Sequence, residues 1–78
     1  MTEQTTDQAP TVQELQESID ELTAYRERLY NDVIGLGKKL RLSQKKIDAT
    51  INAHPELSRI DEVLSQLKQQ RDFQAKNA

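Results

Sequence analysis

From Val12 onward the apolar residues recur at alternating steps of three and four: Val12, Leu15, Ile19, Leu22, Arg26, Leu29, Val33, Leu36, Leu40, Ser43, Ile47 and Thr50, nine of the twelve aliphatic. A mean repeat near 3.5 residues keeps one stripe of a helix turned toward a partner as helices supercoil, whereas a strand would alternate with period two. The pattern predicts an all-α chain carrying coiled-coil heptads. Val12, Ile19, Arg26, Val33, Leu40 and Ile47 take the first core position (a) of each heptad. Leu15, Leu22, Leu29 and Leu36 take the second (d), which weakens to Ser43 and Thr50. β-branched residues at a with Leu at d suit parallel two-stranded coils.

The ends of the helices are marked by local chemistry. Residues 1–10 are polar and nearly free of aliphatic side chains, which predicts a disordered tail ahead of a single helical domain over 11–78. Thr11 with Glu14 three residues on has the form of a capping box, so the first helix is expected to begin near Thr11. Gly35 and Gly37 each cost a helix interior about 1 kcal/mol relative to alanine. Read as a turn, the IGLG segment would give a three-helix bundle with a middle helix over about 38–53. The register runs through Val33, Leu36 and Leu40 without a slip, however, and a loop has no reason to preserve it. The expectation is therefore one long helix over about 11–53.

His54-Pro55 is a firmer break, because proline lacks a backbone donor and forces the preceding residue out of the helical region. Pro55 then suits the first turn of a shorter helix over about 55–73, whose stripe is Leu57, Ile60, Leu64 and Leu67, widened by Val63. A later start would make Ser58 and Asp61 a capping pair. So short a connection implies an antiparallel helical hairpin. The second helix is expected to cover the back half of the first, where Ile34, Leu42 and Ile51 add apolar surface, leaving Val12 to Leu29 bare.

Size and composition sharpen that picture. A chain of 78 residues buries little surface, and the absence of cysteine removes disulfides and thiolate metal sites, so association is the expected reinforcement. A net charge of −2 and a pI near 5.3 give no overall attraction to nucleic acid or anionic membrane. No window reaches the roughly 18 apolar residues of a membrane span. The start MTEQTTDQAP has neither the basic nor the apolar stretch of a secretory leader, so a cytoplasmic location is the default expectation.

The expected interface is Val12, Leu15, Ile19, Leu22, Arg26, Leu29, Val33 and Leu36, pressed against a second copy in a homodimer or against another helical protein. Arg26 interrupts the stripe between Tyr25 and Tyr30; there it either sets the register of pairing or carries its charge out to solvent. Lys38, Lys39, Arg41, Lys45 and Lys46 hold five of the eleven basic residues, with no acid among them, while residues 1–36 carry eight acids and two bases. A solvated face is the ordinary fate of such a run; charge-guided pairing and phosphate or nucleic-acid binding are the alternatives. No aromatic residue interleaves the cations, which weakens single-strand recognition.

Catalysis has little support. His54 is the only histidine and sits before a proline, with no second ligand to make a metal site, so it reads as a turn or capping residue. Ser43 and Ser58 have no base and orienting acid around them. The segment ELQESIDEL at residues 14–22 resembles the opening helix of the all-helical chorismate mutases, and Gly35 with Lys38 and the stretch PELSRIDEVL are similar to other pieces of that family. The resemblance implies an arginine between the leucine and the Ile-Asp pair, where Gln16 stands here. Its other cations would have to come from Arg26 or Arg28, Lys38 and Arg59, and almost no chain is left for a third helix. Helical periodicity generates such partial matches, so no active site is carried over. The expectation is a non-enzymatic coiled-coil protein acting through protein association, with no cofactor or small-molecule substrate, and with nucleic-acid binding through 38–46 as the alternative.

Overall fold

The structure, a computed structural model, describes residues 10–77. Among them are three helices and no strand: α1 (Val12–Lys39), α2 (Gln44–Asn52) and α3 (Pro55–Asn77). The tail expected over 1–10 lies, except for Pro10, outside the described residues.

The start of α1 is built as its sequence suggests. The Thr11 hydroxyl accepts from the Glu14 backbone N–H at 3.1 Å, while the Thr11 N–H donates to the Glu14 carboxylate at 2.9 Å. Two backbone donors that the first helical turn leaves open are thereby satisfied.

α1 runs straight through Gly35 and Gly37 but stops soon after them, which corrects the single helix expected over 11–53. Arg41 turns into the left-handed region at φ 61°. Its N–H donates to the Lys38 carbonyl at 3.0 Å, and the Leu42 N–H donates back to the Gly37 carbonyl at 2.9 Å. These bonds close the terminal carbonyls that continuing the helix would otherwise have used. Ser43, which occupies a d position of the heptad pattern, serves instead as the N-cap of α2 and accepts from the Lys46 N–H at 3.2 Å. A polar residue on the seam contributes no packing there, so the capping bond prevails over the register.

Arginine at the left-handed position is unfavourable relative to glycine, which has no Cβ to crowd the carbonyl. Arg41→Gly should therefore raise stability by about 1 kcal/mol, read as a rise in the thermal unfolding midpoint; a drop would mean that the helix does not end here.

α2 ends with the Ala53 N–H on the Ala49 carbonyl at 3.0 Å. The His54 Nδ1 then accepts from the Leu57 N–H at 3.3 Å, and Pro55 is the first residue of α3. His54 thus caps the third helix, and no later start at Ser58 occurs.

α3 runs back along α1. Glu56 meets Tyr25, Asp61 meets Arg26 and Arg71 meets Gln16, so the α1 partners step toward the N-terminus as α3 advances. Between these polar contacts Ile19, Ile60 and Leu64 are buried together, with Leu22, Leu29 and Leu67 packed against them. Leu15 and Leu57 are buried as well. α2 lies over the end of α1, where buried Ile47 rests on Gly37.

Candidate functional site

The front of α1 is not bare. Leu15 and Ile19 are 3% and 4% exposed within one chain, Leu22 and Leu29 pack on the same core, and Val12 is half-buried. This corrects the expectation that Val12 to Leu29 has no cover. The reason is geometric: had the first helix reached residue 53, α3 would have folded onto its back half. With α1 ending at Lys39 and α2 taking up the reversal, α3 starts beside Tyr25. At roughly 1.5 Å per residue it is long enough to reach Gln16.

Arg26 is absorbed in the same way. Its guanidinium donates to the two Asp61 carboxylate oxygens, from Nε at 2.6 Å and Nη2 at 3.3 Å, and lies 5.8 Å from the centre of the Tyr30 ring. The bond to Asp61 pushes the Arg26 pKa further up, so the group is cationic at any working pH. Both side chains are partly exposed, so the pair contributes only about 0.5 kcal/mol. It ties the middle of α1 to the first half of α3.

Tyr25 donates its hydroxyl to Glu56 at 2.6 Å, and that bond, together with the Glu56 charge, raises the tyrosine pKa above its ordinary value of 10.0. Raising the folded-state value means that the contact is intact below pH 10.0 and is lost as pH climbs through the raised value. In a Tyr30→Phe background, ultraviolet titration should place Tyr25 above 10.0, and Glu56→Gln should bring it back down. An unmoved midpoint would count against the contact.

Two of the eight expected interface residues, half-buried Val33 and exposed Leu36, stand near the end of α1. They line an apolar cleft of about 270 Å³ at the elbow between α1 and α2, with Gly37, Leu40, Leu42, Ile47, Thr50 and His54. Leu36 and Leu40 are 58% and 62% exposed. Leu40 is exposed although a continuous helix would have placed it in the seam, and Leu42, expected beside the seam, is half-buried. The signal that could have exposed Leu40 is Ser43, a capping residue sitting on a core position.

Lys38, Lys39, Arg41, Lys45 and Lys46 surround the same elbow in sequence, spread over the end of α1, the turn and the start of α2. All are exposed, and none forms an ion pair among the described residues. Arg28, Lys38 and Arg59, the other cations weighed for a mutase-like site, are exposed, and none of them lines the cleft. Among the described residues no three His, Cys, Asp or Glu side chains are grouped to hold a metal ion. No helix among them is long and apolar enough to cross a membrane.

Residues 13–76 match the model of a family described as "Domain of unknown function (DUF8630)", and the chain belongs to that family. No curated protein and no solved structure matches it.

Proposed function

We propose that the chain is a non-enzymatic association module, an adaptor, assembly or regulatory factor, whose contact surface is the apolar elbow between α1 and α2. The observation that carries this reading is the exposure of Leu36 and Leu40 beside a cleft lined almost wholly by hydrocarbon. Burying a leucine side chain is worth roughly 1.5 to 3 kcal/mol when complete, so covering two half-exposed ones supplies a real driving force for association. Val33, Leu36 and Leu40 keep the heptad spacing at this end of α1, which favours a helix packed in the coiled-coil manner. The absence of cysteine fits a cytoplasmic setting.

A photo-crosslinking residue placed at Leu36 or Leu40 tests the reading in the cells that make the protein. A covalent adduct with a polypeptide, absent when the probe replaces solvent-facing Glu62, is the expected result. No polypeptide adduct from either site would overturn it.

The exposed cations of the elbow favour a second reading, in which this end of the molecule holds a polyanion. That reading requires polynucleotide binding that falls steeply with salt and is lost on reversing Lys45 and Lys46. Salt-insensitive or absent binding would dismiss it.

A further inference from the structure

We infer that the occupant of the elbow is a second copy of this chain, its α1 lying antiparallel to the first across a two-fold axis between Gly35 and Leu36; this rests on the association reading above. Each chain carries both halves of such a contact. Leu36 stands out from α1 and Leu40 from its C-cap, and both line the cleft of about 270 Å³, so two copies can interdigitate these side chains reciprocally. A surface that is self-complementary in this way closes into a two-fold dimer.

The flanking charges choose the direction. Asp32 and Lys39 lie one heptad apart and therefore share one flank of α1. Both are exposed, and neither forms an ion pair among the described residues. In an antiparallel pair, equivalent flanks meet. With the axis between Gly35 and Leu36, midway from Asp32 to Lys39, Asp32 of each copy comes opposite Lys39 of the other, so the match is made twice. The other flank carries Gly37, which Ile47 of α2 already covers. A parallel pair would have to bring the Asp32 and Lys39 flank against that covered side. The wider charge distribution agrees, because antiparallel packing turns the acidic body of one α1 toward the basic elbow of the second copy.

A contact of a few helical turns falls well short of the roughly 1,600 Å² of a standard interface, so the dimer is weak and reversible. Sedimentation equilibrium on the full chain, from about 1 to 500 μM, should show monomer passing into dimer within that range. Leu40→Asp should leave a helical monomer throughout, as circular dichroism would verify. Asp32→Lys or Lys39→Asp alone should weaken the dimer roughly three- to tenfold, because each replaces two attractive contacts by two repulsive ones. Asp32→Lys with Lys39→Asp should restore it to within about twofold. A monomer at every concentration, or a dimer indifferent to these charges, overturns the inference. The crosslink from Leu36 separates the two readings. An adduct of twice the chain mass supports the second copy, an adduct with a different polypeptide overturns it while leaving association standing, and no adduct sinks both.

Discussion

Ile19→Ala should lower the free energy of unfolding by about 2 to 4 kcal/mol, the cost of deleting a buried aliphatic side chain together with the cavity left behind. Ile19 is 4% exposed and packs against Ile60 and Leu64 of α3 in the same chain. For so small a chain a loss of that size removes much of the total stability, so the variant should be largely unfolded at moderate urea. Leu40→Ala, at a residue 62% exposed, should change the unfolding free energy of the monomer by less than about 0.5 kcal/mol. The contrast also tests what covers α1. Cover supplied by α3 makes the Ile19→Ala loss independent of protein concentration, whereas cover supplied by another chain would make it shrink as concentration rises. A concentration-dependent loss would mean that the front of α1 packs between molecules.

The two glycines should respond to alanine with opposite signs. A Cβ at Gly35 meets nothing within 4 Å, so Gly35→Ala should stabilise the helix by about 0.5 to 1 kcal/mol through lower backbone entropy in the unfolded chain. A Cβ at Gly37 would stand 2.7 Å from Cγ1 and 3.1 Å from Cδ1 of Ile47. Ile47 is β-branched and helical, so its first torsion has one strongly preferred setting and cannot swing aside cheaply. Overpacking of this kind costs about 1 to 3 kcal/mol, which outweighs the helical gain and leaves Gly37→Ala destabilising by about 1 kcal/mol. Combining it with Ile47→Ala should be markedly less harmful than the sum of the two single changes, because the clashing atoms are gone. Equal stabilisation at both glycines in chemical denaturation would show that α2 does not sit on α1 here.

Much of the architecture is visible in the residue pattern because it depends on neighbours close in sequence. The apolar stripe needs only the helical repeat, the Thr11–Glu14 box only four consecutive residues, and the break at His54-Pro55 only the covalent restriction of proline. The stripe of α3 through Leu57, Ile60, Leu64 and Leu67 is legible for the same reason. The break after Lys39 is harder to see. Two local signals compete there, an unbroken heptad register and a capping serine at a core position, and the chain follows the cap. Gly37 illustrates the point. As a residue it reads as a soft spot in a helix, whereas in the fold it is the gap into which Ile47 fits.

The candidate site was legible in part for a related reason. Periodicity identifies which side chains of α1 form an apolar stripe, but a stripe looks the same whether it faces its own chain or another. Arg26 shows this clearly: a cation on the seam calls for a partner, and nothing near it in sequence says that the partner is Asp61. The residue pattern alone accounts for helical class, stripe, caps and the proline break, since each arises from contacts within a turn or two. The assignment of α3 to the front of α1, and with it the exposure of Leu36 and Leu40, was settled by the fold. Those outcomes depend on where the chain reverses, and the reversal is chosen by distant side chains burying one another.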